Sequence, residues 1–342
     1  MNYPEYKNKR ILVTGGAGAI GSNLTRSLLA QDAEVIVLDN LSSGQIWNLP
    51  STPKLLFVKG DILDEVILKR VFNEKPDLIF HLAALFANQN SVDHPEWDLD
   101  INGKGTLKLL EYSTLTGIDR FIYASSGCSI YGSDSPLPLT ESFMSMHLSS
   151  PYQITKMLGE LYCNYYLNHH QLKIVKPRFF NSYGPGEIPG QYHNVIPNFI
   201  YWALKGLPLP ITGTGEETRD FTYVTDIADG LLASGIHEAA IGEEFNLASG
   251  KETQIIDLAN LINELTGNQA GVTFAKRRNW DTKSRLLASI NKANELIGYN
   301  PNTDFQEGIT NTVNWFRENW DLIDNAAQFG PGASSAVREI SH

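Results

Sequence analysis

A glycine-rich loop near the start of the chain constrains the fold more than any other feature. Residues 14–21 read Thr-Gly-Gly-Ala-Gly-Ala-Ile-Gly and follow the apolar run at 10–13, which predicts a short buried strand. The segment after the loop, residues 22–29, has apolar residues at helical spacing. Strand, glycine loop and helix in this order are typical of a turn that holds the pyrophosphate of a dinucleotide.

Three glycines have distinct tasks in such a turn, although here they are spaced three and three rather than two and three. Gly15 permits the tight turn, Gly18 lets the backbone approach the pyrophosphate, and Gly21 lets the helix pack closely on the strand. The N–H groups at the helix start face the phosphates. Asp39 ends a second apolar strand, residues 34–38, at the separation expected for a carboxylate that binds ribose hydroxyls. The first strand–helix–strand unit therefore predicts a dinucleotide site.

Apolar runs alternate with helical segments through the first half of the chain. Further strands are predicted at 55–58, 78–84, 121–124 and 172–175, and long helices at 93–117 and 151–168. Such alternation implies a parallel sheet with right-handed crossovers. The predicted fold class is therefore α/β, a Rossmann doubly wound parallel sheet with a smaller C-terminal α/β lobe that binds substrate.

The pattern becomes irregular after residue 186, which predicts a second unit. We expect an NAD-binding domain with the catalytic residues at 1–180, a substrate-binding lobe at 181–330 with some chain crossing between the two, and a loose tail at 331–342. Strands are predicted near 209–212, 218–224 and 244–247, and helices near 195–205, 226–237, 254–266 and 305–320.

Two polar residues near the ends of predicted strands need separate interpretation. Asp61 either holds an adenine amino group or caps the helix that follows, and the two roles are compatible. His81 lies in an apolar strand, which favours a packed histidine over a catalytic one.

Composition narrows the classes of partner. The 342 residues are 42% hydrophobic, enough for a large core, and the net charge of −11 disfavours nucleic acid and acidic membranes. No apolar run reaches transmembrane length, and the first residues lack the apolar region of a signal peptide. Two cysteines provide neither a disulfide framework nor a zinc site, so we expect a cytoplasmic protein without a metal.

Tyr152 and Lys156 form the candidate catalytic pair. Their spacing places both on one face of a predicted helix. A lysine beside a tyrosine favours the phenolate, as does a cationic nicotinamide, and such a tyrosine can take a proton from a hydroxyl near neutral pH.

Several motifs, in this order, resemble the extended short-chain dehydrogenase/reductase family, in its nucleotide-sugar epimerase and dehydratase branch. They are TGGAGAIGS, DNLSSG, GDI, HLAA, YASSGCSIYG, PYQITK, RFFNSYGPG and TRDFTYV, and the resemblance extends from about residue 9 to 320. It implies a tightly held NAD, a nucleotide-diphosphate sugar as substrate, and a homodimer formed by the two long helices.

The resemblance also implies the binding residues. Those expected around NAD are Gly15, Gly18, Ala19, Ile20, Gly21, Asp39, Asn40, Ser43, Gly44, Asp61, Ile62, Leu82, Ala83, Ala84, Asn102, Tyr152 and Lys156. Those expected around the nucleotide diphosphate are Asn181, Asn194, Val195, Arg219 and Arg278. Arginine suits phosphate because its contacts are bidentate and its charge is permanent.

The residues after the fifth predicted strand, 125–131, are called the serine loop below. Counting from the strand makes Ser126 the catalytic serine, whereas counting back from Tyr131 gives Gly127, which has no hydroxyl. The loop lacks the carboxylates that the family's dehydratases and decarboxylases carry there. The resemblance thus favours 4-epimerisation of a UDP-sugar through a transient 4-keto sugar, with hydride returned from the cofactor.

A 4,6-dehydratase or a decarboxylase of the same family stays open as an alternative, and so do three further interpretations. Cys128 resembles the acid–base cysteine of the family's 3,5-epimerases, with His193 or Lys205 as a second group, although a small buried cysteine is favoured. A non-catalytic NAD-binding regulator is disfavoured, because it does not need the Ser126–Tyr152–Lys156 set. The amides at 88–90 either bind the sugar or form a polar turn.

Overall fold

The computed structural model describes residues 3–329, so the tail expected at 331–342 lies outside the described residues. The strands are β1 (Arg10–Thr14), β2 (Glu34–Asp39), β3 (Leu55–Lys59), β4 (Leu78–His81), β5 (Arg120–Tyr123), β6 (Ser125–Ser126), β7 (Ile174–Phe179), β8 (Asn181–Tyr183), β9 (Leu209–Thr212), β10 (Thr218–Arg219), β11 (Phe221–Tyr223), β12 (Glu244–Leu247), β13 (Thr253–Gln254) and β14 (Val272–Ala275). The helices are α1 (Ala19–Ala30), α2 (Glu65–Asn73), α3 (Asn88–Asp93), α4 (Pro95–Asp98), α5 (Thr106–Thr116), α6 (Gly127–Ile130), α7 (Pro151–His170), α8 (Val195–Leu204), α9 (Val224–Ile236), α10 (Ile255–Thr266), α11 (Asn291–Ile297), α12 (Phe305–Glu318) and α13 (Trp320–Ala326).

The main sheet is parallel and has the strand order β12-β7-β5-β4-β1-β2-β3, with β6 also paired to β7. Strand β1 lies between β2 and β4, so Ile11 pairs with both Val35 and Leu78. The chain reverses its direction across the sheet between β1 and β4. A crevice opens at the carboxyl ends of the strands at such a point. The predicted doubly wound fold is confirmed.

Both faces of this sheet are covered, which explains the continuous apolar strands of the sequence. Ile11 and Val13 belong to one apolar core, and Leu12 between them belongs to the core on the opposite face. A third core lies in the C-terminal lobe, where Ile196 of α8, Leu258 of α10 and other apolar side chains pack together.

The second half of the chain also completes the first unit. Strand β12 pairs with β7, and helix α9 packs against α1. Two segments beyond residue 180 thus belong structurally to the cofactor-binding side, whereas the division at 180 stays a prediction. No helix among residues 3–329 is long and apolar enough to cross a membrane.

The helix predicted at 93–117 is wrong as a single element. It is divided into the end of α3, α4, a π-helical segment at Leu99–Gly105, and α5. His94 has φ −137° and ψ 64° because the following Pro95 excludes the helical conformation there. The sequence patterns also missed β14, α11 and α13.

Candidate active site

A cavity of about 470 Å³ extends from the glycine loop into the C-terminal lobe. Two residues of the expected site, Gly44 and Asn102, are absent from its wall. The expected residues that line it are Gly15, Gly18, Ala19, Ile20, Gly21, Asp39, Asn40, Ser43, Asp61, Ile62, Leu82, Ala83, Ala84, Ser126, Tyr152, Lys156, Asn181, Asn194, Val195, Arg219 and Arg278.

The glycine loop has the shape of a phosphate cradle. Gly15 has φ +70°, and a Cβ there would lie 2.7 Å from the Ala83 nitrogen. A Cβ at Gly21 would lie 2.2 Å from the Gly15 oxygen. At Gly18 a Cβ would lie 3.3 Å from the Gly15 oxygen, which is tight but less severe than at Gly15 and Gly21, and Gly18 lines the cavity. This arrangement fits a dinucleotide pyrophosphate lying against Gly18.

Asp39 organises the loop as well as lining the cavity. Its carboxylate accepts hydrogen bonds from the backbone nitrogens of Ala17 (2.9 Å) and Leu41 (2.8 Å). Burial raises its pKa, and these two hydrogen bonds oppose that shift. Gly44 contributes by close packing, since a Cβ there would lie 2.8 Å from the Ala17 carbonyl carbon.

At the end of the next strand, the structure contradicts one of the two interpretations of Asp61. Its carboxylate accepts from the Leu63 nitrogen and from the Asn40 side chain, each at 2.9 Å. The N-cap of α2 is Asp64, which accepts from Val66 and Ile67 nitrogens. The N-cap interpretation of Asp61 is therefore wrong, because the helix begins one turn later, and its adenine contact stays a prediction.

His81 is a packed histidine, as expected. Its ring nitrogens contact the hydroxyls of Thr14 at 2.8 Å and Thr106 at 2.9 Å. Burial lowers its pKa to about 3, so the ring is neutral. Asn102, one turn before Thr106, accepts from the Leu85 nitrogen at 2.8 Å and so supports the loop after β4 from behind the cavity wall.

The catalytic candidates meet at the centre of the cavity. Tyr152 and Lys156 lie one turn apart on α7. The Ser126 side chain lies near the Tyr152 hydroxyl, and its own hydroxyl is hydrogen-bonded to that of Ser129 at 2.9 Å. The Lys156 ammonium donates to the Ala124 carbonyl at 2.9 Å and lies 5.7 Å from the centre of the Tyr152 ring. Ser126, rather than Gly127, thus stands beside Tyr152. Gly127 instead packs against a phenyl ring, with space for no side chain.

Burial dominates the electrostatics of this pair. It lowers the pKa of Lys156 to about 8, partly offset by Asp98. Burial likewise raises the pKa of Tyr152, which Asp98 raises further and the nearby Ser126 side chain opposes. A positive charge beside the ring, such as that of an oxidised nicotinamide, would favour the phenolate.

The cavity wall that carries the predicted Arg219 and Arg278 also contains Glu187, which has no recognisable sequence signal. Glu187 accepts from the Asn194 backbone and side-chain nitrogens at 3.3 and 2.8 Å, and burial raises its pKa to about 7. Arg219 is paired with Asp281 at 3.0 Å. The Arg278 guanidinium stacks over an indole ring, and its buried Nε lacks a hydrogen-bond partner among the described residues. That unpaired donor fits an anionic ligand.

The surroundings of Cys128 bear on the 3,5-epimerase alternative and on its second acid–base group. Burial raises its thiol pKa to about 11. Lys205 lies outside the cavity and pairs with Asp324 at 2.6 Å, so the proposal of Lys205 as its partner is wrong. His193 lines the cavity, and burial lowers its pKa to about 4. The cation near Cys128 is Lys283, whose ammonium donates to the Cys128 carbonyl at 2.9 Å.

The amide-rich run begins helix α3, so the interpretation as a polar turn is wrong. Asn88 and Gln89 line the cavity, whereas Asn90 does not. The Gln89 side chain accepts from the Trp280 indole nitrogen at 2.8 Å, and Asn88 accepts from the Ser150 hydroxyl at 2.6 Å. The sugar contact of this run stays a prediction.

Comparison with known proteins gives the class that this fold and site define. Residues 11–248 match the family of NAD-dependent epimerases and dehydratases, and the chain belongs to that family. An epimerase from Methanothermobacter thermautotrophicus is 58% identical over 95% of this chain and 97% of its own, with TM-score 0.95. The UDP-glucose 4-epimerase of Thermotoga maritima, solved with UDP-glucose, is 35% identical over 91% and 99%, with TM-score 0.87.

The cofactor follows from the same family. The Bordetella bronchiseptica enzyme WbmF, solved with NAD⁺, is 36% identical over 94% of this chain and 96% of its own, with TM-score 0.82. The protein is an NAD-dependent enzyme of nucleotide-sugar chemistry, and its glycine loop and Asp39 fit that cofactor.

Proposed function

We propose that this protein is a 4-epimerase of a UDP-sugar. The observation that carries the proposal is the placement of Ser126 beside Tyr152 inside the cavity, in a serine loop without carboxylates. Water loss or decarboxylation needs further acid–base groups at this place, whereas chemistry at C4 needs one proton acceptor. Bound NAD supplies the acceptor and donor of hydride.

The protein's own groups divide the remaining work. Tyr152 takes the proton of the C4 hydroxyl and returns it after the 4-keto sugar has turned over. Ser126 donates a hydrogen bond to the same oxygen. Lys156, held by the Ala124 carbonyl, contributes positive charge near the phenolate.

The backbone of β9 supports uracil as the base. This strand pairs only with β14 within the described chain, and the Leu209 and Gly213 nitrogens donate towards β14. Alternate residues of a strand face opposite edges. The Pro210 carbonyl and the Thr212 N–H therefore face the other edge, and both residues line the cavity. An acceptor followed by a donor complements N3–H and O4 of uracil or thymine, whereas cytosine presents the reverse pattern. Uracil is favoured over thymine because relatives were solved with UDP-glucose and with UDP.

The first test compares two variants. Tyr152→Phe should lower turnover by about 10²–10⁴ while NAD stays bound, because the ring still packs and only the proton acceptor is lost. Tyr112→Phe is the matched control, since that tyrosine is bonded to Glu65 outside the cavity. Full activity of Tyr152→Phe would contradict the proposal.

The second test separates 4-epimerisation from 3,5-epimerisation. Cys128→Ala should cost little, because its thiol has no part in chemistry at C4. In D₂O the product should carry no carbon-bound deuterium, since hydride returns within the site. Deuterium on ring carbons together with an inactive Cys128→Ala variant would instead establish the 3,5-epimerase.

A further inference from the structure

Lys283 is a cavity residue without a task in the reaction described above. It lies between β14 and α11 and lines the cavity, and its ammonium makes a hydrogen bond to the Cys128 carbonyl at 2.9 Å. No carboxylate of residues 3–329 lies within 4.0 Å of that ammonium. Burial lowers its pKa to about 8, and Asp281 and Asp134 oppose that shift only from beyond ion-pair distance, so the charge is poorly solvated and has no direct ion-pair partner among the described residues.

The tether to Cys128 places the ammonium at the sugar end of the cavity. Cys128 is two residues after Ser126, which lies near the Tyr152 hydroxyl in the cavity. Under the proposed function these groups hold C4, and the diphosphate on C1 leaves from the opposite side of the ring. Arg219 and Arg278 are the cations expected at that diphosphate end, and Arg219 lies near enough to Lys283 to lower its pKa. The contact of Lys283 with the Cys128 carbonyl places its ammonium on the side of Ser126. Lys283 therefore faces a substituent next to C4.

We propose that Lys283 binds a carboxylate carried by the sugar of the substrate. This inference rests on the proposed function and specifies its substrate class, an acidic nucleotide sugar. A sugar hydroxyl would not compensate a poorly solvated ammonium, whereas a carboxylate provides both charge and acceptors. Two kinds of sugar carry such a carboxylate. One is a uronic acid with the carboxylate at C6, and the other has an acidic ether substituent on O3.

A lysine also suits a substrate that turns over within the site. The positions of the ring substituents shift when the 4-keto sugar rotates. A flexible stem with a compact charge can follow a moving carboxylate, whereas the planar guanidinium of arginine requires one fixed geometry.

The test measures binding in the Tyr152→Phe background, so turnover does not enter. Titration calorimetry with UDP, UDP-glucose, UDP-glucuronate and UDP-N-acetylmuramate should give roughly 10- to 100-fold tighter binding for one acidic sugar than for UDP-glucose. The preferred acid identifies the position of the carboxylate. Lys283→Gln should remove this preference and leave UDP and UDP-glucose within about threefold, while Lys283→Arg should keep part of it.

A control variant and the remaining outcomes of the titration decide between the proposal and its alternatives. Lys251→Gln, at an exposed lysine outside the cavity, should retain the preference. An equal loss of affinity for all four probes in Lys283→Gln would assign Lys283 to the diphosphate and overturn the proposal. If the Tyr152→Phe protein with Lys283 intact binds UDP-glucose more tightly than either acidic sugar, the proposal is overturned without any Lys283 variant. Failure of the Tyr152 or deuterium test would instead reject the 4-epimerase and leave these affinities unchanged.

Discussion

Arg178 and Glu160 form a bidentate ion pair buried beneath the serine loop, with Nε–Oε1 at 2.8 Å and Nη2–Oε2 at 2.7 Å. Glu160 lies one turn beyond Lys156 on α7 and accepts from the Ser125 hydroxyl at 2.5 Å. Arg178 donates to the Tyr131 hydroxyl at 3.1 Å. The pair thus fixes both ends of the loop that carries Ser126.

Loss of one partner should therefore be costly. Arg178→Met leaves the Glu160 carboxylate buried and uncompensated, so the free energy of unfolding should fall by about 3–5 kcal/mol in urea titration. The double variant Glu160→Gln, Arg178→Met should recover part of this loss. Arg285→Met removes an exposed ion pair with Glu252 and should shift the urea midpoint little. Equal losses in the free energy of unfolding for Arg178→Met and Arg285→Met would contradict the special contribution of the buried ion pair.

Glu187 should make stability depend on pH. Its pKa of about 7 lies above the ordinary value of 4.5, so between these values the folded protein binds more protons than the unfolded chain. The group's contribution is therefore present below about pH 4.5 and lost as the pH rises through 7. Glu187→Gln should match the wild-type protein at about pH 4 and exceed it at about pH 8 by up to about 3 kcal/mol. The exposed Glu216→Gln serves as control, and an unchanged difference between the two pH values would reject this account.

Cofactor identity can be checked by extraction. Perchloric acid should release near-stoichiometric NAD(H) from the purified protein and no NADP(H), because Asp39 repels a 2′-phosphate. Asp39→Ala should lower NAD content, since it also removes the acceptor of the Ala17 and Leu41 nitrogens. Recovery of NADP(H) from the wild-type protein would show that Asp39 does not face the ribose.

A homodimer through α7 is also predicted. Ile154, Leu161 and Tyr165 share one face of this helix and are 55%, 54% and 50% exposed. Trp97 and Leu99, at 61% and 53%, add exposed apolar surface on α4 and the π-helical segment. Leu161→Glu should give a monomer by light scattering, whereas Val66→Glu on α2 should not change the mass. A wild-type monomer at micromolar concentration would reject the dimer.

Local patterns predicted the parts of the site that depend on neighbouring residues in sequence. The glycine loop and the Tyr152–Lys156 pair have fixed spacings, so their contacts follow from one turn and one helix. Lys283 and Glu187 have no such spacing, because they reach the cavity only through the packing of the C-terminal lobe. The choice between Ser126 and Gly127 as the residue beside Tyr152 also depends on a distant part of the chain, because Phe180 fills the space beside Gly127.

Strand β12 and helix α9 have a consequence for synthesis of the chain on the ribosome. When the chain has emerged as far as residue 180, the glycine loop, Tyr152 and β7 are outside the tunnel. The outer edge of β7 is still unpaired, and the face of α1 that α9 covers is still exposed. The sheet becomes complete only after residue 247 has left the exit tunnel. A fragment ending at residue 180 would carry every cofactor-binding motif and yet expose a strand edge and apolar surface, both of which promote aggregation.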